Sequence, residues 1–189
     1  MFRLLQRIDP SSYTYRSYVV SEGDDFSALK AHEYEKGLTV KQSRSSVPNG
    51  FHEANYDIST VPRARKIHQS LLTTPISALR CLFACFAILR SHSTYNTLSA
   101  SGPRYPDLIL TNGPGTAVCV IVTSLILRFF AVRGTYGKMR TIYVESWARV
   151  RRLSLSGTIL VGVVDRFLVQ WEGLRGFGGR AEYIGVLVS

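Results

Sequence analysis

An α/β fold of the Rossmann type, a mainly parallel sheet with helices on both faces, is the class this 189-residue sequence predicts, and three features predict it. Short apolar runs alternate with longer helical segments along the chain. The strand-like runs are continuously apolar, as strands covered on both faces are. The third feature is the stretch 107–116, D-L-I-L-T-N-G-P-G-T, where an apolar run stops at Gly113-Pro114-Gly115 and an apolar helix follows. Strand, tight turn and helix N-terminus in that order form the corner of a βα unit.

Taken in order, residues 1–8 (M-F-R-L-L-Q-R-I) read as one or two amphipathic helical turns stopped by Asp9-Pro10, too short and too charged to span a bilayer. Residues 13–20 are rich in β-branched and aromatic side chains and predict a strand. Ser21-Glu22-Gly23-Asp24 turns, and residues 25–36 have helical spacing behind an acidic start. A polar stretch leads to a second strand over 56–61. Pro62 then opens a basic segment with Arg63, Arg65 and Lys66, and an apolar helix is expected within 71–89. Its apolar residues fall on most faces, which predicts a buried helix, with a helix lying on a membrane as the alternative. A Ser/Gly/Pro-rich loop over 91–106 precedes a third strand at 107–111 and a helix over 116–130; Arg128 makes that helix a core element rather than a membrane span. A strand at 141–145, a helical segment over 149–160 and strands at 165–170 and 184–188 complete the sheet. With no internal repeat, residues 1–189 are expected to form a single domain.

The net charge of +10 comes mostly from arginine, the side chain suited to phosphate, since only five of the 23 basic residues are lysine. Nucleic acid, an anionic membrane and a diphosphate ligand all fit that charge, but the arginines are scattered, with one tight cluster at Arg149, Arg151 and Arg152. Cys81, Cys85 and Cys119 fall in apolar helical patterns and read as buried thiols of a reducing compartment. The four histidines are isolated, without metal-ligand spacing, so no metal and no cofactor are expected.

Chemistry is expected at the carboxyl edge of the sheet. Two glycines around Pro114 allow positive φ and close approach of a ligand to the main chain, and the helix behind them presents N–H groups to an anion such as a diphosphate; a plain structural turn is the alternative. Glu145 ends the strand T-I-Y-V-E, so its carboxylate is expected to emerge near the Gly113 corner, either for catalysis or as a cap. L-S-L-S-G (153–157) starts a helix and offers hydroxyls for an anion or for capping. Trp171, in Gln170-Trp171-Glu172, is expected to pack at the same edge.

Six segments together carry a family resemblance: Y-D-I-S-T-V-P-R-A-R-K-I-H-Q-S (56–70), the 107–116 corner, I-Y-V-E-S-W-A-R-V (142–150), L-S-L-S-G (153–157), D-R-F-L-V-Q-W (165–171) and A-E-Y-I-G-V-L-V (181–188). In order and spacing they resemble the asparagine-linked glycosylation protein fourteen family, along the whole chain. The resemblance implies the N-terminal, acceptor-side half of a split GT-B glycosyltransferase. It further implies membrane recruitment, on the cytosolic face of the endoplasmic reticulum and the outer nuclear envelope, of a soluble catalytic subunit of the asparagine-linked glycosylation protein thirteen family that binds UDP-GlcNAc. Together the two would add the second GlcNAc to GlcNAc-diphosphodolichol in a β1,4 linkage with inversion, and neither is expected to act alone.

Carried over residue by residue, Asn112, Gly113, Gly115 and Thr116 match the loop near the lipid diphosphate and Glu145 matches the strand-end acid, a candidate catalytic residue. Tyr183, Ile184, Gly185, Val186, Leu187 and Val188 match the segment that docks the catalytic partner. Relative to the family pattern the sequence begins just after the membrane anchor, the first strand and a Gly-rich loop, and residues 173–180 lack a proline-containing turn. Because the first strand of a doubly wound sheet is central, the chain as written is expected to be aggregation-prone. The other readings are a bacterial-type exopolysaccharide glycosyltransferase subunit with a polyprenyl acceptor, a scaffold that touches no acceptor, and a nucleic-acid binder; the resemblance speaks against the last.

Overall fold

The computed structural model describes residues 2–6, 12–13, 15–45, 56–65, 74–95, 105–113 and 115–187. It divides into two compact units, Met1–Val61 and Pro62–Ser189, each an all-parallel sheet flanked by helices.

In the first unit β1 (Arg16–Ser21) pairs in parallel with β2 (Tyr56–Val61), Arg16 opposite Tyr56 and Ser21 opposite Val61. Between them runs α2 (Asp25–Ser45), and a short helix α1 (Phe2–Leu5) is tied to it by the Tyr34 hydroxyl, which donates to the Leu5 carbonyl at 3.1 Å. The turn into α2 uses Gly23 at φ 73°, and the Asp24 carboxylate caps the helix by accepting from Ser27 N–H at 3.1 Å. The helix runs nine residues past the expected end at Lys36. Gly37 has nothing within 4 Å of where a Cβ would stand, and the Thr39 hydroxyl donates to the Glu35 carbonyl at 3.0 Å. A lone glycine weakens a helix by about 1 kcal/mol but does not stop it, and the next proline is Pro48. Glu35 is almost fully buried and satisfied: Arg16 donates to both its oxygens, at 2.6 and 2.8 Å, and Tyr18 donates at 2.6 Å.

The second unit holds four parallel strands in the order β3 (Leu108–Asn112), β4 (Arg140–Val144), β5 (Arg166–Val169) and β6 (Ala181–Tyr183). Asn112 lies opposite Val144, Val144 opposite Leu168, and Val169 opposite Tyr183, so the four strands end along one edge. Three helices accompany them: α3 (Thr74–Tyr95), α4 (Thr116–Phe129) and α5 (Leu155–Leu160). The core joins Ile121 of α4, Tyr143 of β4, Leu160 of α5, and Phe167 and Val169 of β5. The Tyr143 and Phe167 rings lie 5.2 Å apart. At the opposite edge, Asp165 accepts from Thr141 N–H at 2.8 Å, from its hydroxyl at 3.0 Å and from Arg128 at 2.9 Å.

Three further expectations are corrected. The last strand is β6 rather than 184–188: Gly185 takes φ 79°, a left-handed turn that ends the extended run, although Ile184 N–H still donates to Val169 at 3.1 Å. The helical segment expected over 149–160 shortens to α5, because Leu153 is drawn into the core and Ser154 caps the helix by accepting from Gly157 N–H. Finally, α3 is not buried all round. Cys81, Cys85 and Leu89 form its buried stripe, while Ile76, Leu79 and Phe83 are exposed, Phe83 by 70%. The three cysteines are buried and free, as expected, and Cys119 is held protonated by its hydrogen bond with Cys81 and by burial.

Candidate functional site

The corner after β3 stands at the carboxyl edge of the sheet. Asn112 is exposed at the strand end and Gly113 takes φ 90°, a conformation only glycine adopts without strain. Gly115 is the N-cap residue of α4, and no side chain caps that helix. A helix start presents N–H groups along its axis, an arrangement that suits an anion. Thr116 opens the helix.

A neighbour that the spacing of the sequence did not place comes from the segment after β2. A Cβ added at Gly115 would stand 3.0 Å from the Ala64 side chain, and the Ala64 carbonyl accepts from Ser77 of α3 at 2.8 Å. The run P-R-A-R (62–65) thus passes directly against the corner, carrying Arg63 and Arg65 on either side of the contact. The basic motif was visible; the proximity depends on long-range packing that no local pattern encodes.

Glu145 follows β4 at the same edge, but its carboxylate does not emerge there: the residue is 1% exposed. One oxygen accepts from Ser146 N–H at 2.9 Å, the other from Ser154 N–H at 3.0 Å and from the Ser154 hydroxyl at 3.1 Å. The α5 backbone closes over it, since a Cβ at Gly157 would lie 2.0 Å from the second oxygen. Ser154 in L-S-L-S-G is therefore a cap and a carboxylate partner rather than a ligand for a bound anion. Tyr143, unremarked in the sequence, donates its hydroxyl to the Gly113 carbonyl at 3.2 Å and lies 3.4 Å from the Ser154 hydroxyl. Burial, reinforced by the charge on Glu145, pushes the Tyr143 phenol up to about 12 against the opposing Ser154 contact, so it stays a donor.

Gln170 closes the edge on its other side. Its amide donates to the Glu145 carbonyl at 2.9 Å while its oxygen accepts from Leu187 N–H at 3.0 Å. The Trp171 indole donates to the Trp147 carbonyl. In the segment expected to dock a partner, Tyr183 and Val186 are exposed, Ile184 and Gly185 half-buried and Leu187 buried, while Val188 lies outside the described residues. Among the described residues no group of His, Cys, Asp or Glu could hold a metal, and no helix is long and apolar enough to cross a membrane.

Residues 1–187 match the model of the family described as "Oligosaccharide biosynthesis protein Alg14 like". The chain belongs to the Alg14 family. It is 42% identical over 228 residues to the UDP-N-acetylglucosamine transferase subunit alg14 of Aspergillus fumigatus, with all of both chains covered. The subunit of the same name from Schizosaccharomyces pombe is 37% identical, covering 99% of this chain and 76% of the relative. The subunit from Rattus norvegicus is 33% identical, covering 94% and 72%. No solved structure gives a significant match.

Proposed function

We propose that this chain is the acceptor-side, membrane-recruiting subunit of a UDP-N-acetylglucosamine transferase, the N-terminal half of a split GT-B enzyme. It adds the second GlcNAc to GlcNAc-diphosphodolichol on the cytosolic face of the endoplasmic reticulum, with a separate soluble subunit binding UDP-GlcNAc. Family membership along residues 1–187 carries this reading, and the relatives are named as UDP-N-acetylglucosamine transferase subunits.

The geometry supports the assignment of the acceptor diphosphate to Asn112, Gly113, Gly115 and Thr116. A helix N-terminus without a side-chain cap, a glycine at positive φ and a basic segment packed against the corner combine what a diphosphate needs: N–H donors, close approach and positive charge. The exposed α3 face supports recruitment to lipid. Ile76, Leu79 and Phe83 lie on one side with Arg80 and Arg90, and the Arg90 guanidinium sits 5.7 Å from the centre of the Phe86 ring. Tyr183, Ile184, Gly185, Val186, Leu187 and Val188 are assigned to the catalytic partner.

The test is GlcNAc transfer from UDP-GlcNAc to a GlcNAc-diphosphoryl lipid, by this chain alone and after co-expression with the catalytic subunit. The chain alone is expected to give no product and the complex to turn over. Gly115→Val, which must displace Ala64, is expected to abolish activity of the complex while co-purification persists. Turnover by the isolated chain would refute the split assignment. Full activity of the Gly115→Val complex would leave a scaffold that touches no acceptor.

A further inference from the structure

Glu145, Ser154, Tyr143 and Gly113 form a continuous chain of polar contacts. It starts at a buried carboxylate and ends on the carbonyl of the residue that opens the corner. Its members come from separate segments: the β3–α4 corner, β4 with the residue that follows it, and the cap of α5. None of these links belongs to the pairing of the strands.

We infer that Glu145 is a positioning residue, acting through Ser154 and Tyr143 to hold the Gly113 corner in the geometry that receives the acceptor diphosphate. This rests on the assignment of that corner to the acceptor. The direction of the hydrogens makes the argument. The Glu145 carboxylate holds Ser154 through its N–H at 3.0 Å, and the single hydrogen of the Ser154 hydroxyl, with that Glu145 oxygen at 3.1 Å and the Tyr143 oxygen at 3.4 Å within reach, is the one that can join Ser154 to Tyr143. The Ser154 oxygen accepts from Gly157 N–H at 2.9 Å, which fixes the hydroxyl at the start of α5. Tyr143 supplies the only hydrogen for the last link, and its nearer acceptor is the Gly113 carbonyl at 3.2 Å. Fixing that carbonyl fixes the peptide plane at a glycine whose φ of 90° leaves it few steric restraints of its own.

A catalytic base must reach the proton it removes, within about 3 Å or through one water. Glu145 is 1% exposed, both its oxygens are occupied by main-chain and hydroxyl donors, and the bare backbone of Gly157 closes over it. Its influence on the acceptor is therefore indirect.

Steady-state kinetics of the co-expressed complex test this with Glu145→Gln, Ser154→Ala and Tyr143→Phe, varying the acceptor lipid and UDP-GlcNAc separately. Each substitution is expected to raise the acceptor KM about three- to tenfold, the scale of one lost hydrogen bond, with kcat and the UDP-GlcNAc KM changed less than about twofold. The acidic limb of the pH–rate profile is expected to survive in Glu145→Gln. Because the links act in series, the Glu145→Gln/Tyr143→Phe double variant should be no worse than the poorer single variant. Tyr143→Phe keeps its ring against Phe167, so it remains informative if the Glu145 variant folds poorly. A collapse of kcat with loss of the acidic limb in Glu145→Gln, beside a wild-type Tyr143→Phe, would overturn the inference in favour of a base. A Tyr143→Phe complex with unchanged acceptor KM overturns it as well. The two readings separate through Gly115→Val: if that variant still binds acceptor normally, the corner assignment fails, whereas a defect there beside a normal Tyr143→Phe removes only the positioning role.

Discussion

Gly157 and Gly162 lie five residues apart around α5, and adding a methyl group to each has opposite consequences. At Gly157 the methyl carbon would lie 2.0 Å from a Glu145 oxygen and 3.2 Å from the Ser154 hydroxyl; at Gly162 nothing lies within 4 Å. Gly157→Ala must push the buried carboxylate off its donors or lift α5 from the core, an overpacking cost of about 1–3 kcal/mol. A Tm several degrees lower is expected for Gly157→Ala beside a nearly unchanged one for Gly162→Ala, measured by thermal unfolding of the complex; equal Tm values would contradict the closure over Glu145. At this scale the sequence was readable for residue type and not for direction. Glu145 stood out because it ends a strand, yet whether its carboxylate faces solvent or protein depends on Ser154 and Gly157, nine and twelve positions on. Tyr143 looked like any apolar strand residue, since the acceptor of its hydroxyl is thirty positions away.

Elements were legible where their signals are local. β2 and α4 fall where the apolar runs and turn residues put them, and the Asp24 cap opens α2 as the acidic start implied. The discrepancies lie where a tertiary contact decides the boundary: Leu153 shortens α5, and a left-handed Gly185 with the Gln170 side chain replaces the end of the last strand. Removing residues 184–189 therefore takes away the Leu187 N–H that Gln170 holds, together with exposed Val186. Co-purification of the truncated chain with the catalytic subunit is expected to fail; retention would move the docking surface elsewhere. The far end of the same sheet has its own sensitivity. Burial works to raise the Asp165 carboxyl, but the Thr141 amide and hydroxyl and the Arg128 guanidinium outweigh it and hold it below the usual range. A carboxyl lowered on folding adds stability that is present above the unfolded value of about 3.9 and is lost as pH falls through the folded one. Tm is expected to drop below about pH 4, and Asp165→Asn to have a lower Tm at neutral pH and a flatter acid limb. An unchanged acid limb in that variant would show that other carboxyls dominate.

On the scale of the whole molecule, net charge and one apolar helix face combine into a single expectation. The sequence carries +10 charges, mostly arginine, and the exposed side of α3 presents Ile76, Leu79 and Phe83 among Arg80 and Arg90. Composition made the charge plain and periodicity made the helix plain. Which face would remain uncovered was not readable, because apolar residues occupy nearly every position and only packing against α4 selects the cysteine stripe as the inner one. An aromatic and two aliphatic side chains entering the headgroup boundary gain roughly 1.5–3 kcal/mol each when fully buried, and each nearby arginine about 1 kcal/mol beside an anionic leaflet. Neither term alone holds a protein firmly to a bilayer; together they do. The chain co-expressed with its catalytic subunit is thus expected to co-sediment with vesicles containing phosphatidylserine, less so as salt rises, and Leu79→Asp/Phe83→Asp to reduce partitioning by about tenfold or more. Because both positions are exposed, that variant should keep its Tm and its co-purification with the catalytic subunit. Undiminished vesicle binding by the variant would assign recruitment to another surface.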